Sequence, residues 1–367
     1  MKKIITLALA IWCTASWAQN LTNIGPSNSN ILVEGRTVPK GEALEYCYPG
    51  TAFSIKFDGA GDVSARLKSN AGYYAVSIDG SGFSKFSTHD GQSDNSIKDY
   101  KIASNLPAGI HTIKLMLVTE EYDRFPEFHG FSLASDAKLL KPDTKKRLKI
   151  EFIGNSITCG YGNEASSADD HFADSTSNFA KSFAGLTIKN LNAVSMVVAR
   201  SGIGIYKNFG DTIAGSQWPM PRVYETALIN NHDSKWDFST WKPDVVVLGL
   251  GTNDLSENNY SNEKFRLAYV AFVKNIRKHY PNANIVLLNS PMLHGQQAYD
   301  LQEVINNTIT AMRMMNDAKV FPFTFQEQDA SLGYGADWHP SAKRAQEMSR
   351  YLTYFIKTQV AKKFFKE

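Results

Sequence analysis

The apolar residues of this 367-residue chain change their period partway along, and that change limits what the chain can fold into. From about residue 31 to 133 they alternate, as in Phe53-Ile55-Phe57, Val63-Ala65-Leu67, Tyr74-Val76-Ile78 and Ile113-Leu115-Leu117. A period of two puts every other side chain on one face, so these runs read as antiparallel strands burying that face. Asp58-Gly59, Asp79-Gly80 and Pro107-Ala108-Gly109 lie between runs and read as turns. Eight or nine such strands predict a β-sandwich of jelly-roll type over residues 19–140.

The alternation stops at Lys141-Pro142-Asp143-Thr144-Lys145-Lys146-Arg147, a proline and a charge run that mark the expected domain boundary. Beyond it, residues 148–153, 193–199, 245–250, 285–289 and 320–325 are compact apolar runs. The first, third and fourth are apolar on both faces, as parallel strands covered by helices must be. Phe265, Tyr269, Phe272 and Ile276 fall on one face of a helix starting near Ser261, and Ala345, Met348, Leu352 and Ile356 form a similar stripe after Pro340. Strand-helix alternation over residues 141–367 predicts a doubly wound α/β domain.

Residues 1–18 carry Lys2 and Lys3, an apolar run from Ile4 to about Trp12, and the small-residue ending Ala15-Ser16-Trp17-Ala18. That order is a secretory signal peptide, cut after Ala18, so the protein is expected to be exported to the periplasm or beyond the cell. Trp12 stands before Cys13 where a lipoprotein signal needs a small residue, which argues against a lipid anchor. No later run approaches the roughly 20 apolar residues of a membrane span, so no membrane insertion is expected. Removing Lys2 and Lys3 from 39 basic residues leaves 37 against 36 acidic ones, a balance that calls for no nucleic-acid partner. Cys47 and Cys159 are expected as two buried thiols rather than a disulfide. A monomer is expected.

In an open parallel sheet, ligands bind where the loops after the strand C-termini meet. That rule selects residues 154–163, 200–218, 251–260, 290–297 and 326–339. The first loop reads Gly154-Asn155-Ser156-Ile157-Thr158, with a serine just past the first strand. A serine hydroxyl needs a base to become a nucleophile. Of eight histidines, only His171, His294 and His339 lie on or against these loops. His339 is the best base, because Asp337-Trp338-His339-Pro340 precedes the last helix and Asp337 offers a carboxylate to orient the ring. His171 and His294 read as rim residues. The oxyanion also needs donors. The second loop offers Gly202, with Gly204 as its alternative, and the third offers the Asn253 amide beside the Ser156 N–H itself; Asp254 reads as a cap. Trp338, Tyr206 and Trp218 are either core packing or stacking platforms for a sugar ring, and His294 could also meet substrate. No HExxH, CxxC or EF-hand spacing occurs and no GxGxxG follows a strand, so neither a metal nor a cofactor is expected.

The C-terminal two thirds resembles the SGNH (GDSL-type) hydrolases, whose serine, oxyanion glycine, oxyanion asparagine and histidine would fall on Ser156, Gly202, Asn253 and His339. Residues 150–162, 201–206 and 241–254, with the two-domain order, are more specifically similar to carbohydrate esterase family 2. That resemblance implies a jelly roll before an SGNH domain, and an acyl-enzyme route that removes acetyl groups from acetylated carbohydrate, with the 6-O position of a hexose preferred. Two positions depart from the superfamily pattern. Asn155 stands where aspartate is usual, and Ala336 stands three residues before the histidine, where the triad aspartate is usual. Asp337 is therefore expected to complete the triad, with a backbone carbonyl as the alternative. Other expectations to be weighed are a non-carbohydrate ester or acyl-transfer substrate on the same site, and a catalytically inactive carbohydrate-binding protein.

Overall fold

In the computed structural model the described residues are 21–91, 94–143 and 147–365, so the expected signal peptide lies outside them. The alternating runs of the first part do form antiparallel strands, but two of the three expected turns lie inside single strands. Ala52–Lys68 passes straight through Asp58-Gly59, and Ile97–Leu117 passes through Pro107-Ala108-Gly109. The two expected turns face each other instead: Gly59 pairs with Gly109, and the register shifts between Gly59 and Gly61 and again before Ser64. Bulges with glycine bend a strand pair without ending it, so these dipeptides are corners. Only Asp79-Gly80 is a turn, with φ of 51° and 75°, between Tyr73–Ile78 and Ser84–Ser87.

Because both long strands continue past their corner, the ten strands of the described residues are hydrogen-bonded into one sheet folded on itself. Residues 52–54 pair with Leu32–Glu34, while residues 64–67 pair with Glu127–Ala134. One core joins the two halves, with Phe53, Ile55 and Phe57 from one meeting Leu67, Phe128 and Phe131 from the other. That shared core makes the domain a sandwich; each such side chain contributes about 1.5–3 kcal/mol by leaving water.

The second part holds five parallel strands: β1 (Lys149–Gly154), β2 (Val194–Ala199), β3 (Val245–Gly249), β4 (Asn284–Leu288) and β5 (Val320–Phe323). Their order is β2-β1-β3-β4-β5. The longer helices are α1 (Phe183–Leu191), α2 (Asn262–His279), α3 (Gly295–Met314) and α4 (Ala342–Phe355). The apolar stripe read on α2 is buried as Phe265, Tyr269, Phe272 and Ile276, and that on α4 as Ala345, Met348 and Leu352. Gly154 is in register with Ala199 and Gly249, so the loops after β1, β2 and β3 leave the sheet at one level.

The two parts share a seam. Arg36 of the sandwich meets Glu151 of β1 at 3.3 Å, with neither side chain exposed. Arg36 also donates to the carbonyls of Tyr224 and Thr226. The Phe179 N–H donates to Val118 O at 2.9 Å, and Lys85 reaches the Ser175 and Ser177 carbonyls.

Candidate active site

Ser156 opens the one-turn helix Ser156–Cys159, where Asn155 Oδ1 accepts the Ile157 N–H at 3.0 Å. Asparagine thus supplies the cap that aspartate would have supplied, and the first N–H groups of a helix have no partner within it. Gly154 is required here: a Cβ would lie 2.0 Å from Thr158 Oγ1.

Ser156 Oγ lies 2.8 Å from His339 Nε2. His339 Nδ1 faces the main-chain carbonyls of Ala336 at 3.0 Å and Asp337 at 3.2 Å. Carbonyl oxygens only accept, so the proton sits on Nδ1 and the Nε2 lone pair meets the serine hydroxyl. Burial pushes the imidazole below its ordinary 6.5, partly opposed by those carbonyls and by Asp337. The resting ring is therefore a neutral base.

The carboxylate of Asp337 is not the partner of His339, which corrects the expected triad. It accepts from Tyr161 Oη at 2.6 Å and pairs with His171 Nδ1 at 3.0 Å. The cause is backbone conformation. Asp337 and Trp338 both have left-handed φ, 46° and 61°, and this turn directs carbonyls, not the side chain, at the imidazole. Strained non-glycine residues of this kind persist where the surroundings hold them. Here the Ala336 N–H donates to Gly162 O, fastening the turn to the first loop, and the Gly335 N–H donates to His339 O, closing the turn on itself. Asp337 is held below the usual carboxylate range by Tyr161 and His171.

On the second loop, Gly202 has φ of 76°, with nothing within 4 Å of the place a Cβ would take. The Gly204 N–H donates to Asn208 Oδ1 at 3.0 Å, which leaves Gly202 the better oxyanion donor. Asn253 is buried, and its Nδ2 donates one hydrogen to Ile203 O at 2.8 Å, fixing the amide with its second hydrogen available. Asp254 does more than cap. Its buried carboxylate accepts the N–H groups of Ile205, Tyr206 and Lys207, so the third loop shapes the second.

Two expected substrate contacts are engaged within the protein, Tyr206 as a buried brace and Trp218 as a half-buried ring. Tyr206 is buried, and its hydroxyl accepts the Ser261 N–H at 2.8 Å. Trp218 stacks on His232 at 3.3 Å, with the Arg222 guanidinium 5.8 Å from its ring. His294 is exposed and its Nδ1 pairs with Glu327 at 2.9 Å. Trp338 alone stays exposed beside the base, at 55%. Three aromatics were missed from the sequence. Tyr161 stacks on His339 at 4.1 Å, Phe172 packs on Tyr161 at 4.9 Å, and exposed Phe209 donates its N–H to Gly202 O. Tyr161 had a signal, since it lies within the first motif; Phe172 and Phe209 had none.

Tyr161, Phe172 and Ser201 face Glu120, Tyr122 and Arg124 of the sandwich across a cleft of about 450 Å³. One group in its wall could hold a metal ion: the ligand atoms of His89, Glu121 and Asp174 lie within 4.8 Å of one another. Burial pushes Glu121 up to about 8, and the charge of Asp174 adds to this. Cys47 and Cys159 are both buried and unbridged.

Residues 33–142 match the family model of the carbohydrate esterase 2 N-terminal domain, and residues 152–346 match that of the GDSL-like lipase/acylhydrolase family. The cellulase/esterase CelE of Acetivibrio thermocellus is 34% identical over 91% of this chain, which spans 40% of that protein's length. An acetylxylan esterase / glucomannan deacetylase of Cellvibrio japonicus is 33% identical over 69% of this chain and 71% of its own. The structure of a family two carbohydrate esterase from Clostridium thermocellum with cellohexaose superposes with a TM-score of 0.82 at 33% identity, covering 90% of this chain and 98% of that one.

Proposed function

The chain belongs to carbohydrate esterase family 2, and from that premise we propose that it deacetylates plant polysaccharides, acetylated xylan and glucomannan among them. The observation that carries the reading is the 2.8 Å contact between Ser156 Oγ and a neutral His339. Ser156 attacks the acetyl carbonyl and passes its proton to Nε2, and the imidazolium returns it to the departing sugar oxygen. Water then repeats the exchange on the acyl-enzyme and frees acetate. The Ser156 and Gly202 N–H groups and the Asn253 amide stabilise the oxyanion, while the Ala336 and Asp337 carbonyls hold the ring.

Exposed Phe172, Phe209 and Trp338 near the nucleophile suit the faces of sugar rings, and a relative holds cellohexaose, a chain of hexoses. No helix of the described residues is long and apolar enough to cross a membrane, and the signal peptide expected at residues 1–18 would deliver the enzyme to such polymers. The test is acetate release from acetylated glucomannan and xylan, with 4-nitrophenyl esters alongside. Acetate release should fall by several orders of magnitude in Ser156→Ala and His339→Ala, which act as one unit. Near-parent turnover in either folded variant, or octanoate preferred over acetate, would overturn the reading.

A further inference from the structure

Glu120 belongs to the sandwich domain, yet its carboxylate is engaged with the loop after β2. The Ser201 N–H donates to Oε2 at 2.9 Å and the Ser201 hydroxyl donates to Oε1. Tyr122 Oη accepts from the same N–H at 3.2 Å. Ser201 immediately precedes Gly202, and the peptide unit joining them carries the oxyanion N–H. Gly202 has a left-handed φ, and no side chain of its own holds that peptide. Its position is set from outside, by Glu120 and Tyr122 on the Ser201 side and by the Phe209 N–H on Gly202 O at 2.8 Å.

An oxyanion donor acts only when it lies within about 2.7–3.1 Å of the developing charge, so whatever fixes the peptide that carries it bears on the rate. We propose that Glu120 is a positioning residue of the esterase, a carboxylate lent by the sandwich domain to aim the Gly202 N–H at the oxyanion. The sandwich is then part of the catalytic apparatus as well as a neighbour of the cleft. The proposal rests on the reading of Ser156 as nucleophile and Gly202 as oxyanion donor.

The experiment measures kcat and KM on 4-nitrophenyl acetate for Glu120→Ala, Glu120→Gln and Ser201→Ala, with the rate of inactivation by diethyl 4-nitrophenyl phosphate. The phosphoryl oxygen of that inhibitor occupies the oxyanion position. Glu120→Ala should lower kcat by about tenfold or more, with KM within about twofold, and should slow inactivation in parallel. Glu120→Gln should recover most of the loss, because its amide oxygen accepts the Ser201 N–H while its NH₂ donates to the hydroxyl. Ser201→Ala, which keeps the N–H bond, should lose less than Glu120→Ala. Parent-like kcat in both Glu120 variants, a loss confined to KM, or equal losses in both variants with parent-like inactivation would overturn the proposal. Ser156→Ala separates the two levels. If it is inactive while Glu120→Ala is unimpaired, only the positioning role falls; if it is active, the underlying reading falls first.

Discussion

Replacing Asp337 by asparagine asks directly what orients the base. Asparagine tolerates the left-handed φ of 46° and keeps an acceptor for Tyr161, so the substitution removes charge with little change of shape. A triad aspartate turned to asparagine lowers kcat by about 10⁴. Here the carboxylate is bonded to Tyr161 and His171, and the carbonyls of residues 336 and 337 already hold Nδ1. What Asp337 supplies is its field on the imidazolium, screened by water because its side chain is 37% exposed. Discounted for that exposure, the field contributes on the order of 1 kcal/mol, about fivefold in rate. The assay is kcat/KM on 4-nitrophenyl acetate across pH. A loss near fivefold is expected, with the acid limb displaced to lower pH, since Asp337 favours the protonated ring. A loss beyond about a thousandfold in a folded variant would mean that the carboxylate swings onto His339 during turnover.

Asn253→Ala should cost roughly 100- to 1,000-fold in kcat through loss of one oxyanion donor; a change in KM alone would make Asn253 a binding residue instead. Neutral imidazole is the active form and burial favours it, so parent kcat/KM should fall to half at a pH below 6.5; a midpoint above 6.5 contradicts the assigned environment. Asp254→Ala leaves the N–H groups of Ile205, Tyr206 and Lys207 without their acceptor, at about 1–3 kcal/mol each. Tm and kcat should fall together in that variant, and an unchanged Tm would remove Asp254 from the loop's support.

The parallel sheet was legible because strands buried on both faces leave an uninterrupted apolar run, and the two helical stripes were legible from their spacing. The rule that loops after parallel strands meet at one edge narrowed the candidates to five loops, and the need for a base and for oxyanion donors then selected Ser156, His339 and Asn253, with Gly202 and Gly204 both left open. Asp58-Gly59 misled because glycine marks a corner as readily as a turn, and only the partner strand decides which. Asp337 misled because nearness in sequence to His339 says nothing of direction. Two successive left-handed residues point its carboxylate at Tyr161 and give the base a carbonyl. Tyr206 shows the complementary limit, since an aromatic on an edge loop can brace the loop from beneath.

Glu151 shows why the domain partner could not be read at all. It lies within the first strand, read as apolar on both faces, and it is fully buried three residues before Gly154. Its countercharge is Arg36, 115 positions away in the sandwich, with the Tyr224 hydroxyl donating to its other oxygen. Stripping one member from a buried ion pair costs about 3–5 kcal/mol, because the other charge is left in a medium that cannot solvate it. An α/β domain without the sandwich would therefore carry an uncompensated carboxylate in the strand that delivers Ser156. The loop beside it would lose Glu120 as well. The strand that leads to Ser156 is thus paired with Arg36 of the sandwich, and the loop proposed to supply the Gly202 N–H is bonded to Glu120 of the same domain.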